Sequence, residues 1–200
     1  MAKTERPAPT ALRPLVLAGS LLAALSLSAC SSLRESLDTR QNAGPCPVAA
    51  SLYEASRVVK FGGDGQQLYR NIAWTGEITN VEIGCRYVDT DPLEAAIRID
   101  FAFGKGPAAT ANTHEFRYFV TVTRRNRAVL EKDVFAVTAQ FRGNDVVTVA
   151  SESLGGITIP RYDSSISGAN FEILVGFDLT PEELAFNREG RRFRLDAGRN

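Results

Sequence analysis

An all-β domain with one short C-terminal helix is what this sequence predicts. Three observations carry the prediction. Apolar residues alternate with polar ones at period two in several separate runs, clusters of glycine, asparagine and proline punctuate those runs, and a helix-start signal stands out only at Thr180.

The elements follow in order. Val48–Tyr53 and Arg57–Phe61 read as a first, interrupted strand, and Gly62-Gly63-Asp64-Gly65 as a loop. Ile72-Ala73-Trp74 opens a long β stretch through Tyr87, with a kink expected around Gly76 to Asn80. Val81, Ile83, Cys85 and Tyr87 share one face of it, which points Cys85 inward. Leu93, Ala95, Ile97, Ile99, Phe101 and Phe103 alternate with Glu94, Arg98 and Asp100, and Gly104-Lys105-Gly106-Pro107 breaks that strand. Phe116, Tyr118, Val120 and Val122 form the next apolar face, and Arg124-Arg125-Asn126-Arg127 reads as a hairpin turn into Val129–Phe141. Phe135, Val137, Ala139 and Phe141 share a face there. Glu131 and Asp133 fall on the same face, so a phase break or bulge is expected near Asp133. Gly143-Asn144-Asp145 is a turn, followed by Val146–Ser151, by a segment from Ile157 to Ile159 that stops at Pro160, and by a last strand with Phe171, Ile173, Val175 and Phe177. Thr180-Pro181-Glu182-Glu183 predicts a helix start. Thr180 caps, Pro181 suits the first helical position and Glu183 completes a capping box. A helix of about two turns is expected to pack Leu184 against the domain.

Roughly seven or eight short strands at regular spacing argue for a single β-sandwich of the immunoglobulin/fibronectin-III-like kind over residues 46–195, with residues 196–200 as a tail. A small β-barrel is the alternative. No internal repeat is evident.

Ahead of the domain, Lys3, Arg6 and Arg13 stand against the single acid Glu5, and Leu15 to Ala29 runs without a charge. A positive flank, an apolar run and small residues at its end make residues 1–29 a secretory signal peptide. The run is shorter than the roughly 20 apolar residues of a membrane span, and Gly19, Ser20, Ser26 and Ser28 dilute it. Leu27-Ser28-Ala29-Cys30 resembles the lipobox of bacterial lipoproteins. The resemblance implies cleavage before Cys30 and acyl chains on that cysteine, and two or more chains anchor stably. Ordinary secretory cleavage near Ser28 or Ala29 and an uncleaved anchor helix are the competing readings. Ser31, rather than an aspartate, follows the cysteine. By the same resemblance this implies the outer membrane, with the domain facing the periplasm. Residues 30–45 are polar and aperiodic, and read as a lipidated tether.

Removing Lys3, Arg6, Arg13 and Glu5 with the signal lowers 23 basic and 23 acidic residues to 20 and 22, a charge of −2 over the 171 residues that remain. That balance offers no global attraction to nucleic acid. One domain is the default for such a length. Cys46 and Cys85 remain as an even pair, expected as a disulfide in an oxidising compartment, with two buried free thiols as the alternative.

The stretch from Tyr118 to Arg188 is similar to a family of alphaproteobacterial lipoproteins without an assigned activity. The residues that carry the similarity are Tyr118-Phe119-Val120, Val129-Leu130-Glu131-Lys132, Ile159-Pro160, Val175-Gly176-Phe177 and Leu179-Thr180-Pro181-Glu182-Glu183-Leu184, with Cys46-Pro47 and Cys85-Arg86-Tyr87 in keeping. It implies location and fold rather than chemistry.

Signs of catalysis are sparse. His114 is the single histidine, just before a strand and beside Glu115, and a lone histidine is far more often a surface residue than a catalytic one. Two cysteines and one distant histidine do not complete a metal set, so no metal or cofactor is expected. The chain has neither a Gly-x-Ser-x-Gly elbow nor a Gly-Lys-Ser/Thr phosphate loop. Gly62–Gly65 and Gly104–Gly106 are better read as turns than as anion nests, and Asp89-Thr90-Asp91-Pro92-Leu93-Glu94 as a solvated connection rather than a calcium loop. Two arginine clusters remain: Arg124, Arg125 and Arg127 in a turn, and Arg188, Arg191, Arg192, Arg194 and Arg199 near the C-terminus, diluted by Glu189 and Asp196. Arg188, Arg191, Arg192 and Arg194 are the candidate contact to an anion or partner, against the simpler reading of a solvated face. The expectation is therefore a non-catalytic envelope lipoprotein that binds or assembles with another envelope protein. The alternatives are an envelope glycan hydrolase or lyase using carboxylates, and a binder of an anionic polymer.

Overall fold

Leu93, Ala95, Ile97, Ile99, Phe101 and Phe103, the inward face of one strand, are all 3% exposed or less, and around that strand the rest assembles. The structure, a computed structural model, describes residues 44–63, 65–87, 92–124, 129–161 and 165–193. The signal segment, Cys30 and the tether up to Ala43, Asp89 to Asp91, Arg125, Arg127 and residues 194–200 lie outside the described residues.

Among the described residues the strands are β1 (Val48–Ser51), β2 (Arg57–Phe61), β3 (Ile72–Arg86), β4 (Leu93–Lys105), β5 (Thr113–Arg124), β6 (Val129–Gln140), β7 (Val147–Ile159) and β8 (Phe171–Phe177), followed by helix α1 (Pro181–Arg188). They form two four-stranded sheets, in the orders β1-β8-β5-β6 and β2-β3-β4-β7, and no closed barrel. The protein is a β-sandwich with one short C-terminal helix. All pairs are antiparallel except β1 with β8, which is parallel.

The inner faces meet through aromatic side chains. Phe103 stacks on Phe116 with ring centroids 4.8 Å apart, and Phe101 lies 5.1 Å from Tyr118. A buried aromatic side chain of this kind stabilises by about 1.5–3 kcal/mol relative to exposure. Outside, the second sheet is polar: the Asp100 carboxylate accepts from Ser151 Oγ, Arg98 Nε and Asn80 Nδ2, tying β7, β4 and β3 together. The kink in β3 is an irregularity at Ile78–Asn80, within the stretch where the sequence placed it.

The first strand is interrupted because the chain changes sheets. β1 belongs to one sheet and β2 to the other, and a 3-10 turn, Tyr53–Ala55, makes the crossing. Two expectations need correction. Val147–Ser151 and Ile157–Ile159 are parts of one strand, β7, which leaves Val146 in the turn before it. Gly156, at φ 75°, takes up an extra residue opposite Ala96, so the strand bulges rather than stops. The bulge in β6 falls at Leu130, not near Asp133: Val122 pairs with Glu131 and Thr123 with Val129, and pairing is regular from there to Gln140. Glu131 and Asp133 keep the inward phase because they sit at an open margin of the sandwich, where both remain exposed.

The two margins differ. β1 and β2 lie on one flank, and there α1 packs against β2 and the Tyr53–Ala55 turn. The capping box forms as the sequence signals, with Glu183 N–H donating to Thr180 Oγ1 (3.3 Å) and Thr180 N–H to Glu183 Oε2 (3.0 Å). Leu184 is only half-buried, however. Phe186, one face further round, is the anchor; it meets Phe61 at 5.7 Å and joins Val59 and Ile72 in a second small core. Lys60 Nζ on Glu183 (2.5 Å) and Asn187 Nδ2 donating to the carbonyls of Glu54 and Arg57 (both 2.8 Å) complete the closure. On the opposite flank β6 and β7 are edge strands, and no other described element packs over them.

Candidate functional site

The C-terminal arginines converge, but on partners within the chain. Arg188 Nε donates to Glu54 Oε2 at 2.7 Å, and Arg191 Nε to Glu189 Oε2 at 2.8 Å. Arg191 also donates to Gln67, and Arg192 donates to the Tyr53 hydroxyl while its guanidinium lies 5.7 Å from that ring's centre. These exposed contacts hold the segment after α1 against the Tyr53–Ala55 turn. Such pairs contribute little stability and exchange readily. Arg194, the fourth member, lies outside the described residues.

His114 is enclosed rather than poised. Its ring stacks on Trp74 at 5.1 Å and meets the edge of Phe116 at 4.7 Å, and among the described residues its buried Nε2 has no hydrogen-bond partner. Burial, and then the Lys60 charge, hold its pKa below the ordinary 6.5 against a weaker opposing pull from Glu115. The unfolded chain therefore takes up a proton at a higher pH than the folded one. The stability this histidine allows is fully present above about pH 6.5 and is lost as pH falls through the lower, folded value. His114→Phe is expected to flatten the decline in Tm between pH 7.5 and 5. A decline equal to the parent's would show that His114 does not drive it.

Cys46 and Cys85 form the disulfide expected of them, with Cα atoms 5.7 Å apart. Beside it the Tyr87 hydroxyl donates to the Pro45 carbonyl (2.7 Å) and accepts from the Gly168 N–H (2.6 Å). Both features fasten the chain where it enters the sandwich.

The open flank holds a cleft of about 250 Å³. Val120 and Val122 of β5 and Phe135 of β6 supply an apolar floor, Leu154 and Ile157 of β7 the facing wall, and Gly155 and Gly156 the bulged rim. Glu131 and Asp133 stand on the β6 side, paired across the ladder with Val122 and Val120. Among the described residues neither carboxylate has an ion-pair partner. Further in, burial pushes the Tyr118 hydroxyl up to about 12, and Glu152, on the inward face of β7, adds to the rise. Negative charge thus gathers beside an apolar surface. On the outer side of β6 Val134 is 41% exposed beside Lys132, whose Nζ lies 4.5 Å from the Phe119 ring centre, and the bulged Leu130 is 47% exposed. Among the described residues no group of three His, Cys, Asp or Glu side chains could hold a metal ion.

The pairing of Cys46 with Cys85 was legible in the sequence, but this cleft was not. The available signal was the pair of acids in phase with Phe135 and Val137, which a two-sheet packing turns into the wall of an opening. Comparison with family models, curated proteins and solved structures finds no match to this chain.

Proposed function

We propose that the chain is a lipid-anchored envelope protein whose β-sandwich is a non-catalytic binding or assembly module. The observation that carries the binding half is the inequality of the flanks. α1 and the Tyr53–Ala55 turn cover one margin, while β6 and β7 leave edge strands and an apolar, acidic cleft at the other. Exposed sheet edges are a recurrent site for partner strands. The anchoring half rests on Leu27-Ser28-Ala29-Cys30 behind a charged and apolar leader, and Ser31 favours the outer membrane, facing the periplasm. No helix among the described residues is long and apolar enough to cross a membrane. A tether beside a membrane raises local concentration, so a modest edge contact suffices for binding.

Replacing Cys30 with serine tests the anchor. The variant is expected to leave the membrane fraction or to accumulate unprocessed, and normal maturation with normal membrane fractionation would reject the lipoprotein reading. A hydrolase or lyase is the second reading, favoured by two carboxylates in one cleft. The cleft is small beside the roughly 300–1,000 Å³ of ordinary ligand sites, which suits a side chain or two better than a polymer. Saturable turnover of an envelope glycan, lost in Glu131→Gln, would establish the enzyme instead.

A further inference from the structure

We propose that the β6–β7 cleft takes up an extended polypeptide segment, laid along β6 as an added strand, with lysine or arginine on its inward face and apolar residues on its outward face. The proposal rests on the binding-module reading and names the chemistry of the partner.

Among the described residues β6 pairs with β5 on one side and with no strand on the other. The outward half of its backbone N–H and C=O groups is therefore available to a further strand. Side chains of an added strand alternate between the two faces of the sheet. Those pointing inward meet Glu131 and Asp133, which have no cation of their own among the described residues. Lysine and arginine suit that position twice over, because the charged head reaches the carboxylates while the aliphatic stem lies along the facing apolar wall of Leu154 and Ile157. Side chains pointing outward meet the exposed Val134 beside Lys132, with the exposed Leu130 of the bulge at the end of the strand.

The same carboxylates reject other occupants. An apolar strand would cover Glu131 and Asp133 without pairing them, at a desolvation cost that such a contact does not repay. A second copy pairing through β6 would bring like charges together. Inward-pointing charges on an edge strand discourage indiscriminate pairing in general. Here they also select what is admitted.

The test uses the full-length chain and labelled decapeptides of alternating Lys-Val, Ser-Val and Glu-Val, with binding read by fluorescence anisotropy. Lys-Val is expected to bind, to weaken with salt, and to exceed Ser-Val by about five- to tenfold. Glu131→Gln with Asp133→Asn should remove that preference without lowering Tm, and Glu131→Lys with Asp133→Lys should transfer it to Glu-Val. Equal binding of Lys-Val and Ser-Val, or a preference unchanged by the neutral pair, overturns the proposal. So does a photo-crosslinker at Leu130 that joins to a second copy of the chain. A crosslink from Leu130 in cells to a partner segment lacking lysine and arginine overturns the cationic chemistry and leaves the binding module standing. If the peptides fail and crosslinkers at Leu130 and Tyr53 capture nothing in cells, the module reading falls as well.

Discussion

A side chain at Gly106 is expected to destabilise the domain more than any other single change considered for this protein. A Cβ placed there would lie 2.2 Å from the Ile72 carbonyl oxygen and 2.8 Å from Ile72 Cγ2. Neither neighbour is free to retreat. The backbones are held by Gly106 N–H to the Ala73 carbonyl (2.8 Å) and Ala108 N–H to the Ile72 carbonyl (2.9 Å). Ile72 is itself buried in the small core with Val59 and Phe186. To admit a methyl group the chain must lift off β3, losing both hydrogen bonds and loosening the packing of α1. Two hydrogen bonds and an overpacked site together cost about 3–5 kcal/mol. At roughly 2–4 °C per kcal/mol for a domain of this size, Gly106→Ala should lower Tm by about 6–20 °C. Gly143→Ala is the control: its φ of 54° strains alanine, but its Cβ would meet nothing within 4 Å. A urea midpoint for Gly106→Ala no lower than the control's would show that the close approach to Ile72 is not what fixes the loop.

Removing the disulfide should have the next largest effect. Cys46 and Cys85 are separated by 39 positions, and in the chain-entropy account closing a loop of that length stabilises by about 4 kcal/mol. The loss on replacing both cysteines with alanine should be less, roughly 2–4 kcal/mol, because the Tyr87 hydroxyl still bridges Pro45 and Gly168. Urea unfolding of the parent with and without reductant, beside the double variant, measures it. The reduced parent and the variant should share a lowered midpoint. Three coincident midpoints would mean that the bond adds nothing to the fold.

What could be read from the sequence depended on how local the determinant is. β4 was legible because its larger apolar residues, from Leu93 to Phe103, keep period two and face the core, with only Ala96 and Ala102 apolar on the other face. The helix start was legible because a capping box is a contact between residues three apart. The helix's anchor was not. Leu184 and Phe186 both offer apolar faces, and the choice between them belongs to Phe61 and Val59, which lie over 120 positions away. β7 was split because Gly155-Gly156 has the composition of a turn, while Ala96 on the neighbouring strand makes it a bulge. The acids at 131 and 133 looked like a break in phase for a related reason. One strand's pattern says which face a residue takes, but not whether that face meets the other sheet or the space beside it. The cleft exists only in the relation of β6 to β7, strands paired with β5 and β4 rather than with each other.

The fastening at the domain's entrance sets how it responds to force. β1 is a four-residue edge strand, and a pull on the chain ahead of Gly44 would by itself peel β1 from β8, one rung at a time. Cys46 precedes β1, and its bond passes the load to Cys85 in β3, an interior strand of the opposite sheet paired along its length with β4. A pull on the chain ahead of Gly44 then bypasses the weakest strand and bears on β3, whose ladder to β4 runs from Trp74 to Arg86. With the bond reduced the load returns to β1, so the domain's resistance to a steady pull follows the redox state of its surroundings.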